Sequence, residues 1–186
     1  IILNHEEREQ KIIKKFESFY KVKNFKNLYD LKLLKEVTNI VEDPQVLLID
    51  FDKKYLELPK EIIISTLQNH QRYFPILDKK DEITNFFLVV INKKDTNNLI
   101  KDGNKRVVEA RLADAKFFWD KDKSKNLIKQ IAKLKDIKFY EGLGSVYDKT
   151  QRLRKLSGML ADEFNLNKEK AEIAASISKS DLCSDL

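Results

Sequence analysis

The stretch LQNHQRYFPIL, residues 67–77, sets the imidazole of His70 among an amide, a guanidinium and a phenol: Gln68, Arg72 and Tyr73. That mixture suits general acid–base work, because imidazole changes charge near neutrality while the neighbours can hold an anion. The only other histidine, His5, lies in a charged stretch near the N-terminus, so His-dependent chemistry in the body of the chain has to run through His70. Its spacing favours a different role. At about 100° per residue, Ile63, Leu67 and His70 fall within about 60° on one helix face, which points the imidazole at the core. No Ser, Cys or carboxylate stands beside it at paired spacing, so His70 is expected to pack and hydrogen-bond rather than catalyse.

Other chemistries lack their residues. Two distant histidines and the single Cys183 cannot build a Cys/His zinc cage, and the acidic residues lack the loop spacing that holds calcium. GLGSVYDKT carries Gly142 and Gly144 but no Lys-Ser/Thr at the spacing of a phosphate loop. No metal and no cofactor bound by this chain is expected.

What remains is charge. The formal net charge is +6, and residues 101–155 hold sixteen Lys or Arg against eight Asp or Glu, while residues 156–186 hold three against six. Lysines make up thirty of the thirty-six basic residues, a usage that also fits an A- and T-rich genome, so distribution tells more than the total. Lys105, Arg106, Lys116, Lys121, Lys123 and Lys125 are the candidates for phosphate contact; the competing reading is an ordinary solvated lysine face.

The elements that must position these residues are legible in outline. Ile12, Ile13, Phe16 and Phe19 or Tyr20 recur at helical spacing in an opening amphipathic helix. A second helix is expected at LYDLKLLKEV from Leu28, stopped before Pro44, then a strand at QVLLIDF and a short extended piece at YLEL. Pro59 begins a helix through KEIIISTLQNHQ. RYFPIL and FFLVVI form a hairpin across DKKDE, the second strand buried on both faces. From Asn97 onward no strand is expected. Gly103 is read as a helix C-cap and Asn104 as the N-cap of a helix running to Asp122, which is apolar nearly all round and so buried on more than one side, with Arg111 and Asp114 pairing beside it. Helices at YDKTQRLRKLSGMLADEF and KEKAEIAASISKSDL complete an all-helical second half.

The chain opens on Ile1 rather than Met and ends without a helix-stop signal, which reads as a piece of something longer. One cysteine and no secretory signal point to a reducing, cytoplasmic setting, and no apolar run approaches the roughly 18 to 20 residues of a membrane span.

Taken together, LPKEIIISTLQNHQRYFPILDK, GNKRVVEARLADAKFFWDKD, LGSVYDKTQRLRKLSGMLA and the closing SKSDL closely resemble the beta subunit of the bacterial two-subunit glycyl-tRNA synthetase, from about Glu7 to the end of the chain. The resemblance implies a tRNA-binding subunit whose alpha partner carries the active site that activates glycine with ATP. It also implies a fold. Residues 1–100 would be the end of an α+β domain of the phenylalanyl-tRNA synthetase editing type, and residues 101–186 the start of an all-α HD-like helical domain, truncated at its C-terminus. The alpha subunit and tRNA(Gly) are the implied partners.

The rival reading is a metal-dependent phosphohydrolase of the HD type. AASISKSDL resembles the helix carrying the His-Asp pair of those enzymes, with Asp181 in the aspartate position but Ser180 where the metal-binding histidine belongs. No histidine follows His70, so the upstream ligand is missing too. A third reading is a non-enzymatic RNA-binding or docking module.

Overall fold

The structure, a computed structural model, describes residues 1–26 and 29–185. They fall into two compact units, Ile1–Lys116 and Phe117–Leu186.

The first unit opens on helix α1 (His5–Lys23), capped by the Asn4 side chain, which accepts from the N–H groups of Glu6 and Glu7. Asn24 ends it in the left-handed region at φ 54°. The expected periodicity is realised: Ile12, Phe16 and Tyr20 are buried along one stripe. Leu28, from which the second helix was expected, lies outside the described residues. Helix α2 (Leu31–Ile40) starts on Asp30, whose carboxylate accepts from Lys32 and Leu33 N–H, and it buries Leu33, Leu34 and Val37.

Strand β1 (Gln45–Asp50) follows, and Tyr55 to Glu57 of the expected extended piece YLEL instead close a 3-10 turn over Lys53–Glu57 that Asp52 caps. After helix α3 (Lys60–Ser65) and a π-turn over Thr66–His70 come strands β2 (Phe74–Leu77) and β3 (Ile83–Ile91). The sheet is antiparallel in the order β1-β3-β2, so β3 is central. That position explains its consecutive buried run Phe87, Leu88 and Val89, which fills both faces. Leu88, Val46, Phe74 and Ile76 pack in one core with Ile12, Phe16, Leu34 and Val37 from the helices. Complete burial of each such side chain contributes about 1.5–3 kcal/mol.

Helix α4 (Leu99–Lys123) corrects the expected break at Gly103: it is one continuous helix. Asp95 satisfies its first turn by accepting from Ile100 and Lys101 N–H, so Asn104 is free to act inside the helix, donating to the Ile100 carbonyl at 2.6 Å and meeting the Tyr73 hydroxyl. These bonds offset the roughly 1 kcal/mol that a mid-helix glycine costs. Burial on several sides is also corrected. Only Val108 and Leu112 are buried, whereas Val107, Phe117 and Phe118 are exposed, Phe117 to 64%. Arg111 and Asp114 are both exposed, with no ion pair between them.

In the second unit, helix α5 (Leu127–Gln130) and a 3-10 turn (Ile131–Asp136) lead to strands β4 (Lys138–Tyr140) and β5 (Gly144–Ser145), an antiparallel pair where an all-helical half was expected. Three residues are too few for alternation to declare a strand, so only the EGLGS break was visible. Helix α6 (Val146–Glu163) begins with a capping box between Ser145 and Asp148. Helix α7 (Lys168–Ile177) packs against it at Gly158, and a 3-10 turn over Ser180–Cys183 follows. No helix among the described residues is long and apolar enough to cross a membrane.

Candidate nucleic-acid interface

His70 is exposed, contrary to the packing expected of it. The reason is the π-turn: its wider winding abandons the 100° periodicity after Leu67, which remains buried, and carries the next residues round to solvent. The rest of the motif works as scaffold. Asn69 Nδ2 donates to Ser65 Oγ at 3.0 Å. Arg72 takes φ 59° to redirect the chain, its Nε donating to Glu36 at 2.5 Å and its Nη1 to the Asn69 carbonyl. The Tyr73 ring stacks on Phe87, with centroids 5.3 Å apart, and burial pushes its phenol above the usual range. The one serine hydroxyl in this group, Ser65 Oγ, accepts from Asn69.

The six candidate cations divide into two kinds. Four already hold carboxylates: Lys105 on Asp50 at 3.0 Å, Lys116 on Glu57 at 3.0 Å, Lys121 on Asp185 at 2.7 Å, and Lys125 on Asp122 at 2.8 Å and Asp185 at 2.6 Å. The hydrogen bond from Lys105 holds Asp50 below the carboxylate range, and Asp50 raises Lys105 in turn. Hydrogen bonds to Asp122 and Asp185 likewise raise Lys125. A phosphate approaching these lysines competes with a carboxylate already in place. Arg106 and Lys123 are the others: both are exposed and neither makes an ion pair among the described residues. Sequence spacing could not separate the two kinds, because Asp50, Glu57 and Asp185 each lie more than fifty residues from the lysines they meet.

Hydrogen bonds from Lys121 and Lys125 lower the Asp185 carboxyl to about 2. A depressed carboxylate contributes stability above its unfolded pKa, about 3.9, and loses it as pH falls through the folded value. The clamp of residue 185 on the end of α4 is therefore expected to hold at pH 5 and to release as pH falls from about 4 to about 2. A carboxyl carbon titration of Asp185 by NMR checks this, and a midpoint near 4 would show that the lysines do not hold it.

Ser180 and Asp181 do not form a metal-binding pair. Ser180 is buried and donates to the Ile177 carbonyl at 2.8 Å, while Asp181 is exposed in the terminal 3-10 turn. No group of three or more His, Cys, Asp or Glu side chains placed to hold a metal occurs among the described residues. The phosphohydrolase reading has no support.

Comparison with known proteins places this geometry in context. Residues 1–186 match the family described as glycyl-tRNA synthetase beta subunit. The chain is 40% identical over 170 residues, 91% of its length, to the glycine–tRNA ligase beta subunit of Listeria welshimeri, covering 25% of that protein. It is 38% identical over 186 residues, 99% of its length, to the same-named protein of Thermodesulfovibrio yellowstonii, covering 27% of it. Against that of Clostridioides difficile it is 44% identical over 156 residues, 83% of the chain and 23% of the relative. The chain thus spans about a quarter of the length of the curated relatives it matches.

Proposed function

The chain belongs to the glycyl-tRNA synthetase beta-subunit family, and from that premise we propose that it forms part of the tRNA-binding subunit of a two-subunit enzyme attaching glycine to tRNA(Gly). The match along all 186 residues carries this reading. Glycine activation with ATP falls to the alpha subunit, with which the complete beta subunit assembles as a cytoplasmic heterotetramer. This segment binds no cofactor of its own; it supports the ligase by holding RNA. Residues 1–100 form the end of an editing-type α+β domain, and residues 101–186 begin an HD-like helical domain carrying the small β4–β5 hairpin as an addition.

Along α4, the exposed Arg106 and Lys123 take phosphates most readily, because neither must first give up a carboxylate. Lys105, Lys116, Lys121 and Lys125 are held by carboxylates and tie distant parts of the chain together. Replacing Arg106 and Lys123 with Gln in the complete enzyme is expected to weaken matched and mismatched RNAs alike. The log–log salt slope should flatten by roughly 0.7 to 0.9 per lost contact. Glycine-dependent pyrophosphate exchange, measured without RNA, should not change. An unaltered salt slope would remove α4 from the RNA interface, and a loss of pyrophosphate exchange would put it against the catalytic machinery instead.

A further inference from the structure

The β4–β5 hairpin presents a different kind of surface from α4. None of Lys138, Phe139 and Tyr140 is buried, and Tyr140 exposes 67% of its surface. Lys138 and Tyr140 line a shallow depression of about 350 Å³ together with Lys135 and Ser145, while Lys149 Nζ lies 4.1 Å from the centre of the Phe139 ring.

The hairpin is fixed in place rather than loose. Gly142 and Gly144 turn the chain at φ 76° and 79°, the left-handed region that glycine enters without a steric penalty. A Cβ at Gly144 would run into the Asp148 carboxylate, which accepts from Ser145 N–H and Oγ, each at 2.8 Å. The strand pair is thereby anchored on the first turn of α6.

Its charge is unspent. Residues 133–155 carry seven Lys or Arg against three Asp or Glu. Among the described residues only Arg154 of these seven makes an ion pair, with Glu172 at 3.0 Å. Lys135 and Lys149 lie over the rings of Tyr147 and Phe139 instead. An exposed aromatic ring in a field of unpaired cations is the composition of a single-stranded nucleic-acid platform, where a base stacks on the ring and cations follow the backbone. The buried centre of a protein–protein interface is instead depleted in lysine.

Resting on the tRNA-binding reading above, we propose that this hairpin is an RNA contact: an unpaired base stacks on Tyr140 while Lys135 and Lys138 meet the adjoining phosphates. Asp136 and Glu141, which also line the depression, accept from an exocyclic amine or a ribose hydroxyl.

The test uses the full-length beta subunit assembled with its alpha partner and tRNA(Gly). Tyr140→Ala is expected to raise the dissociation constant at least fivefold, the factor corresponding to about 1 kcal/mol of base stacking, with Tyr140→Phe within about twofold of wild type. Lys138→Gln should weaken binding and lower the salt slope by about 0.7 to 0.9. If the wild-type enzyme binds tRNA while Tyr140→Ala and Lys138→Gln leave affinity and salt slope unchanged, the hairpin contact is overturned and the tRNA-binding reading stands. A wild-type enzyme that does not bind tRNA overturns both. Loss of the alpha subunit from Tyr140→Ala with tRNA affinity intact would make the hairpin a protein contact and overturn the proposal.

Discussion

Phe16→Ala is expected to lower the stability of the first unit by about 3–5 kcal/mol, the cost of removing a buried phenyl ring from a packed core. Phe16 has no exposed surface and meets three rings edge-on: Tyr20 at 6.3 Å, Tyr29 at 5.6 Å and Phe74 at 4.8 Å between centroids. The cavity would open where α1 and β2 share a core, so neither neighbour can close it alone. Guanidinium unfolding of the 186-residue chain measures the change. A loss below about 1 kcal/mol would mean that the surrounding side chains collapse into the space.

Gly158→Leu is expected to cost about 1–3 kcal/mol by overpacking the second unit. At Gly158 a Cβ would already stand 2.7 Å from Glu172 Oε1 and 3.2 Å from its Cγ, and the longer side chain has to force α7 away from α6. Glu172 would also leave Arg154, whose Nη2 now donates to it at 3.0 Å. Gly158→Ala is the informative control. Its added methyl meets the movable end of Glu172, and the gain of about 1 kcal/mol in helix propensity offsets the displacement, so the alanine variant should unfold near wild type. Equal losses for both variants would locate the cost at the first added carbon, against Glu172, and not in the longer side chain.

How far these features can be read from the residues depends on the range of the interactions behind them. Ile12, Phe16 and Tyr20 declare α1 because helical spacing is local. The run around Leu88 declares a central strand for the same reason. His70 misleads because a single π-turn, which no propensity announces, changes the phase of the helix. Gly103 misleads in the opposite sense: its local cost is real, but Asp95 and Tyr73 supply the bonds that keep α4 continuous. For the basic residues, sequence shows where positive charge accumulates and is blind to the distant carboxylates that neutralise it. Asp50 and Asp185 can be matched to Lys105 and Lys125 only in three dimensions. Lys138 and Tyr140 carry no periodic mark because β4 is so short, and the only local signal is a Lys-Phe-Tyr run before a double-glycine turn.

Photocrosslinking of tRNA(Gly) to the complete alpha–beta enzyme, with the crosslinked peptides mapped by mass spectrometry, most directly tests whether this segment holds RNA. Crosslinks are expected within residues 101–155, at the exposed Arg106 and Lys123 of α4 and at the β4–β5 hairpin around Tyr140. A complex that crosslinks efficiently elsewhere in the enzyme but nowhere in residues 1–186 would contradict an RNA-binding role for this part of the subunit.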